Sequence, residues 1–205
     1  MRIDQHVLHS LHDCDRQDYD SALLHASFAI EGTAKNLFHK GGRQAYKDCL
    51  RQYYWLIEIM IGGVIDLKTT FNNVVIKVGS RKVLPKPDLA DVIYHIFRCN
   101  HAHAEEIPLN YSLLPLEDGN PIWIIGSDTL QMPILIIFAL LSVSVFAKCN
   151  NKIQTEGIEY LIYGNAELGN FKFLIKDFWG KEDDFRAIVT AKYPKPIVVK
   201  IEGLF

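Results

Sequence analysis

The chain has 205 residues, a length that suits one domain or one domain with a small appendage. Hydrophobic residues make up 49% and charged residues 22%, which supports a buried core and argues against a disordered chain. The net charge of -2 argues against a strongly basic protein that coats nucleic acid. Four widely spaced cysteines and a start without a signal-peptide pattern predict reduced thiols and a cytoplasmic location.

The N-terminal segment carries His6, His9 and His12 at steps of three, among apolar residues with a loose helical spacing. The pattern is compatible with a short amphipathic helix, on which the histidines would share one broad face with Asp13 nearby. Such a face can be read as a metal site, but steps of three drift around a helix and converge poorly on one ion. The sequence therefore favours a solvated face and predicts no metal and no other cofactor.

Two helices joined by a glycine turn are predicted next. Asp18 or Asp20 can cap the first, which runs to about Phe38. The second runs over about 43–61 and ends at a glycine pair. The short turn predicts an antiparallel hairpin. Small residues on the first helix predict a close approach by another helix; they are Ala22, Ala26, Ala29 and Thr33.

After an irregular stretch with a possible strand at 74–78, Asp88 can cap a third helix. The apolar residues of 89–97 fit the i, i+3, i+4 pattern, and polar residues follow directly. Between 98 and 106 the chain holds one arginine, one asparagine, two histidines and two acids. Arginine can hold a phosphate and histidine can move protons near neutral pH, so this stretch is the candidate site.

The partner of Arg98 within this stretch is open. Residues five apart on an ideal helix are separated by about 140°, so His103 faces Arg98 only if the helix ends or bends between them. His101, three residues on, shares a face with Arg98. A purely structural reading instead pairs Arg98 with Glu105 or Glu106.

The fourth predicted helix, 129–148, is the most apolar. Its apolar run of fifteen residues, 133–147, is shorter than the roughly 18 to 20 needed to cross a bilayer, which favours a buried core helix and no membrane partner. Beyond it, 160–163 and 171–178 predict a β-hairpin, followed by a turn over 179–184 that leads into a short helix, and a possible last strand at 196–201. We expect a helical domain over 1–150 and a small α+β appendage over 151–205 packed on it.

Four residues separate Arg98 from His103, behind a helical hairpin and ahead of a long apolar helix. This arrangement resembles the HEPN family (higher eukaryote and prokaryote nucleotide-binding domains), whose helical bundles carry an Arg followed by four to six residues and a His. Arg2 and His9 also have that spacing, without such surroundings. The resemblance covers roughly residues 18–150. It implies a mainly α fold, a HEPN-like helical bundle with a small C-terminal β-hairpin appendage.

The resemblance also implies a function, a metal-independent endoribonuclease of toxin or defence kind. Arg98 and His103 would be catalytic, and Asn100 and His101 would bind the substrate. Implied partners are a second copy of the chain in a homodimer, RNA or a nucleotide, and an antitoxin protein. The alternative is a non-catalytic HEPN-like module that binds a nucleotide, RNA or a protein. A third reading is an oligomeric protein that uses its apolar helix as an interface.

Overall fold

A computed structural model describes residues 2–62, 65–78, 82–99, 110–117, 121–156, 159–163 and 171–192. This part of the chain is mainly helical, with small β-sheets. The predicted site residues Asn100, His101 and His103 lie outside the described residues, as does the predicted last strand at 196–201.

The elements follow one another along the chain without a repeated unit. The described helices are α1 (Ile3–Asp15), α2 (Tyr19–Phe38), α3 (Arg43–Gln52), α4 (Tyr54–Met60), α5 (Leu89–Val92), a π-helix (Ile93–Arg98), α6 (Leu135–Phe146), a 3-10 turn (Lys148–Asn150), α7 (Ile175–Phe178) and α8 (Glu182–Lys192). The described strands are β1 (Ile76–Val78), β2 (Lys82–Leu84), β3 (Tyr111–Leu114), β4 (Ile124–Ile125), β5 (Leu130–Pro133), β6 (Tyr160–Tyr163) and β7 (Phe171–Leu174).

Helices α1 and α2 pack antiparallel. The Ser10 hydroxyl donates to the Ala22 carbonyl over 2.7 Å, while at the other end of the pair Ile3 lies against Gly32. A Cβ added to Gly32 would come 2.6 Å from Ile3 Cγ1, so the glycine permits this approach. The Asp18 carboxylate caps α2 by accepting the Ser21 N–H, as predicted. The small-residue stripe of α2 is buried, which confirms its packing role.

The second predicted helix is divided in two at Tyr53. Its backbone φ of -105° and ψ of 17° leave the helical region between α3 and α4. The Tyr53 hydroxyl donates to the Glu182 carboxylate over 3.2 Å, and the Tyr54 hydroxyl accepts the Ala90 N–H over 2.8 Å. Two adjacent tyrosines are thus directed to different neighbours. Helical spacing alone contains no sign of those tertiary contacts.

The third predicted helix is confirmed as far as Arg98, but its winding changes. Asp88 caps α5 by accepting the Asp91 N–H over 3.0 Å. From Ile93 the backbone is a π-helix, and the Cys99 N–H bonds to the Tyr94 carbonyl five residues back. The predicted apolar residues of 89–97 are all buried. Single turns of π-helix recur at functional sites in proteins, and this one ends on Arg98.

The fourth predicted helix begins later than expected. The prediction of helix from 129 is wrong for Leu130–Pro133, which form β5, and α6 starts at Leu135. Strand β5 is the centre of a three-stranded sheet, parallel to β3 and antiparallel to β4. A short apolar run suits a buried strand as well as a helix, and only the neighbouring strands decide. In the described part of the chain, no helix has the length and apolar character to cross a membrane.

The C-terminal elements pack on α6. Strands β6 and β7 form the predicted antiparallel hairpin, although the predicted second strand ends at Leu174, where α7 begins. The Phe146 ring on α6 contacts the rings of Phe173, Phe178 and Phe185, at centroid distances of 5.6, 5.9 and 4.3 Å. These elements therefore share one hydrophobic core with the helices. The domain boundary at 150 stays a prediction.

Candidate functional site

Arg98 is held at the end of the π-helix by two side chains of α2. Its Nη2 donates to Glu31 Oε2 over 2.7 Å, and its guanidinium carbon lies 5.7 Å from the centre of the Phe28 ring. The Arg98 side chain is 19% exposed and that of Glu31 is 41% exposed, so the pair opens to solvent on the Glu31 side. Glu105 and Glu106, the partners of the structural reading, lie outside the described residues.

One histidine lies against the same aromatic ring, and a second histidine contacts the first. His6 of α1 packs on Phe28 with ring centroids 5.2 Å apart, and its Nδ1 is 3.0 Å from Nδ1 of His25 on α2. At that distance one Nδ1 carries a proton and donates it to the other. Phe28 therefore contacts both the Arg98 cation and the His6 ring, and His25 lies behind His6. The prediction of a solvated face is wrong for His6, which is half-buried, because α2 packs over it.

Asp13 and His9 complete the surroundings of His25. Asp13 is buried, and its Oδ2 lies 3.9 Å from His25 Nε2. The His9 ring stacks on the His25 ring at 5.2 Å, with the two planes inclined by 25°. His9 is exposed, as is His12 one turn further along α1, so the solvated-face prediction holds for these two.

Burial keeps both imidazoles of the pair neutral near pH 7. Burial, with a smaller effect of His25, lowers the pKa of His6 to about 4, and the Glu31 carboxylate opposes this shift. Burial also lowers the pKa of His25, against the attraction of Asp13. A neutral imidazole can accept a proton, so the face around Phe28 holds a fixed cation and two bases.

The charge of Arg98 is equally well defined. Burial alone would lower its pKa, but the hydrogen bond that Arg98 donates to the Glu31 carboxylate more than offsets this, and the pKa of Arg98 is raised. The guanidinium has five N–H donors, and one of them is committed to Glu31 among the described residues. The remaining donors suit a phosphate, which an arginine can grip with two parallel hydrogen bonds.

Sequence reasoning found Arg98 but missed His25, Phe28 and Glu31. Their spacing carries a signal, because each lies three positions after the one before and they therefore follow one side of α2. A histidine and a glutamate on one side of an apolar helix can mark a polar face. The contact with His6 and Arg98 depends on how α1 and the π-helix pack on α2, which the spacing does not contain.

Metal chemistry has no donor set in the described ranges. No three His, Cys, Asp or Glu side chains come together there as a metal site. All four cysteines are free thiols. An open groove of about 1110 Å³ lies beside the start of α1 and the 152–156 segment. Its cations Arg2, Lys35, Lys152 and Lys176 are interspersed with three acids, so its charge selects no particular ligand.

Comparison with known proteins gives a family for the chain. Uncharacterized protein Rv1289 of Mycobacterium tuberculosis is 32% identical over 194 residues, covering 92% of this chain and 88% of the relative. Uncharacterized protein Mb1320 of Mycobacterium bovis shows the same identity and coverage. No solved structure matches the chain. The family model named Rv1289 matches residues 2–203, nearly the whole length, and the chain belongs to the Rv1289 family.

Proposed function

We propose that this protein is a metal-independent endoribonuclease of HEPN type, with a role as a toxin or in defence. The observation that carries the proposal is the face around Phe28, where the Arg98 cation and the neutral His6 ring contact one aromatic ring and His25 contacts His6. RNA cleavage without a metal needs a cation for the phosphate and groups that move protons. Side chains of both kinds are present here.

The roles follow from the chemistry of the cleaved bond. A base removes the proton of the 2′-hydroxyl, the 2′-oxygen attacks phosphorus, and an acid protonates the leaving 5′-oxygen. Arg98 stabilises the growing charge on the phosphate. The sequence motif supplies His103 as a proton-transfer group, with Asn100 and His101 binding the substrate. His103 follows Arg98 by five positions, a stretch of chain that spans at most about 18 Å.

The non-catalytic binding module is the second candidate, since the Arg98 donors that are not bonded to Glu31 among the described residues can hold an anion whether or not it is cleaved. The Glu31–Arg98 ion pair favours the third reading, an oligomer whose motif residues are structural, because an arginine already paired within the chain binds an anion at the cost of that pair. That reading loses its interface, however, because α6 is covered within its own chain and only Leu135 and Phe138 are partly exposed.

The homodimer belongs to the proposal through the third helix. Tyr94, His95 and Arg98 are its half-buried residues, and a second copy placed there would bring two Arg98 side chains to one cleft. A cytoplasmic protein with an antitoxin partner completes this proposal. Light scattering at high micromolar concentration should give twice the monomer mass, and a monomer there would remove the shared cleft.

The test of the activity is cleavage of a single-stranded RNA oligonucleotide in EDTA. We expect the wild type to cleave and Arg98→Ala to lose about 100-fold in rate, or about 3 kcal/mol of transition-state stabilisation. Arg98→Lys should restore part of the rate, since lysine lacks the planar fork that holds two phosphate oxygens. Arg186→Ala is the matched control, because Arg186 likewise pairs with a carboxylate and lies over an aromatic ring, Trp55.

Two outcomes would change the proposal. Cleavage that persists in the His103→Ala/His101→Ala double variant would remove both motif histidines from the chemistry. Wild type that binds the oligonucleotide in EDTA without cleaving it would establish the binding module instead.

A further inference from the structure

We infer that His6 is the general base of the Arg98 site and that His25 and Asp13 position it, an inference that rests on the proposed ribonuclease function. The residues form one continuous row. Asp13 Oδ2 lies 3.9 Å from His25 Nε2, and His25 Nδ1 lies 3.0 Å from His6 Nδ1. The His6 ring then packs on Phe28, over which the Arg98 guanidinium lies.

The row determines which nitrogen of His6 can accept a proton. The negative Asp13 favours the His25 tautomer with its proton on Nε2, which leaves a lone pair on His25 Nδ1. That lone pair accepts the Nδ1–H of His6 across the 3.0 Å contact. The remaining nitrogen, His6 Nε2, then carries a free lone pair, as a general base requires.

The proton transfer balances without a cofactor. His6 Nε2 takes the proton of the 2′-hydroxyl as the 2′-oxygen bonds to phosphorus and the bond from phosphorus to the 5′-oxygen breaks. The acid of the proposed function gives a proton to the 5′-oxygen, and the protonated His6 returns its proton through solvent to that acid. The products are a 2′,3′-cyclic phosphate and a free 5′-hydroxyl, and the protein recovers its starting protonation state.

The charged and titratable groups around His6 predict how the rate depends on pH. They are His9 from α1, His25 and Glu31 from α2, and Arg98 from the π-helix. In the free protein burial holds the pKa of His6 at about 4, so kcat/KM should fall only in acid near that value. A bound phosphate anion favours the imidazolium, so the acid limb of kcat should lie at higher pH.

A structural role for the pair makes a different prediction, and glutamine separates the two. The amide of Gln can donate and accept hydrogen bonds as a neutral imidazole does, but it does not transfer the proton. His6→Gln should thus keep the fold while lowering kcat by about 100-fold or more, with KM within about threefold. The remaining kcat/KM of His6→Gln should no longer fall in acid near pH 4. His12→Gln, an exposed histidine on the same helix, is the matched control and should behave as wild type.

The positioning residues have their own readout. Asp13→Asn removes the charge that selects the His25 tautomer, so kcat should fall about tenfold and the acid limb should move. Nitrogen-15 chemical shifts of the histidine rings report the tautomers directly. In the wild type, His6 should carry its proton on Nδ1 and His25 on Nε2. This measurement needs no activity and decides the tautomer argument even if a His6 variant fails to fold.

The outcomes separate the inference from the function. Cleavage by wild type with an unchanged rate and pH profile in His6→Gln would overturn the inference and leave the ribonuclease standing. A proton on His6 Nε2 in the wild type would overturn it as well. Absence of cleavage by the wild type would overturn the function and the role of His6 together.

Discussion

Two ionic clusters lie on opposite ends of the third helix, and they differ in how completely their hydrogen bonds are made. At its start, Lys47 and Arg51 of α3 hold Asp88 and Asp91. Lys47 Nζ is 2.9 Å from Asp91 Oδ1, and Arg51 donates to Asp88 over 2.7 Å and to Asp91 over 3.1 Å. Both carboxylates also accept backbone N–H groups. Every carboxylate oxygen of this cluster has a partner.

The cluster at the end of the helix is open by comparison. Arg98 bonds to one oxygen of Glu31 in the described part of the chain, and that carboxylate is 41% exposed, while Asp91 is 10% exposed. The neutral His6 and His25 rings beside this pair each carry a ring nitrogen that can accept a proton. A saturated, buried cluster gains nothing from a ligand, whereas a partly bonded cation beside neutral imidazoles can exchange an internal partner for a phosphate. This difference identifies the second cluster as the candidate site and the first as structural.

The largest effect should come from breaking the saturated cluster. Asp91→Ala leaves the ammonium of Lys47, a residue only 9% exposed, without its carboxylate. An uncompensated buried charge is costly, so we expect the free energy of unfolding to fall by about 3–5 kcal/mol. Urea denaturation followed by circular dichroism measures it.

The control for this prediction removes both charges together. In Asp91→Leu/Lys47→Met no buried charge is left unpaired, and most of the lost stability should return. A double variant as unstable as Asp91→Ala would show that the cluster is not stabilised as the comparison supposes.

Acid should affect the two clusters in different pH ranges. The pKa of His6 is about 4 in the folded protein and near 6.5 when unfolded, so the unfolded chain binds more protons between these values. The contribution of His6 to the free energy of unfolding is fully present above pH 6.5 and is lost as the pH drops toward 4. The loss amounts to about 1 kcal/mol once the partial exposure of His6 is allowed for. Thermal unfolding between pH 7 and 4.5 measures this, and His6→Gln should make the curve less steep, while His25, whose pKa is also lowered, still contributes to the loss. The same acid loss in that variant would refute the assignment.

The saturated cluster responds only at lower pH. Burial opposes the charge of Asp88, but the hydrogen bond from Arg51 prevails and lowers the pKa of that carboxyl. Its contribution is present above the ordinary pKa of aspartate and disappears as the pH falls through the lowered value. Below about pH 4, the further decrease in the free energy of unfolding should therefore be the same in wild type and His6→Gln.

The smallest effect on stability should come from the open pair. Glu31→Gln replaces a half-exposed ion pair, which is worth at most about 1 kcal/mol, so we expect a change of less than about 0.5 kcal/mol. Its effect on binding should be clearer. With the competing carboxylate gone, the Kd for an uncleavable 2′-deoxy oligonucleotide should fall several-fold. Weaker binding by the variant, measured by fluorescence anisotropy, would contradict an exchange of Glu31 for phosphate.

The sequence predicted local structure well where capping and periodicity agree. Asp18 and Asp88 cap α2 and α5 as expected, and the apolar residues of 89–97 are buried. It failed where neighbours decide between two compatible conformations. Leu130–Pro133 became a strand because β3 and β4 pair with it, and the helix predicted over 43–61 is interrupted at Tyr53, whose hydroxyl bonds to the distant Glu182.

The candidate site was predictable only in part for the same reason. Arg98 was found because it stands in a polar stretch after an apolar helix. Its described partner, Glu31, is 67 residues away, and the His6–His25 contact joins residues 19 apart. Contacts between residues so far apart in the sequence depend on how the helices pack. The half-buried His6 and the exposed His9 and His12 recur at the same spacing, so the sequence does not distinguish them. The roles of Asn100, His101 and His103 stay predictions.

Because of the π-helix, the direction of the Arg98 side chain depends on the number of residues in that segment. An α-helix turns by about 100° for each residue, and a π-helix accommodates one more residue per hydrogen-bonded turn than an α-helix does. Deleting one residue between Ile93 and Phe97 would let the segment rewind as an α-helix and point the guanidinium away from Phe28 and Glu31. Conservative substitutions along the same segment leave the residue number intact and would not reveal this. The register of the backbone, and not only the arginine, would then be a determinant of the site.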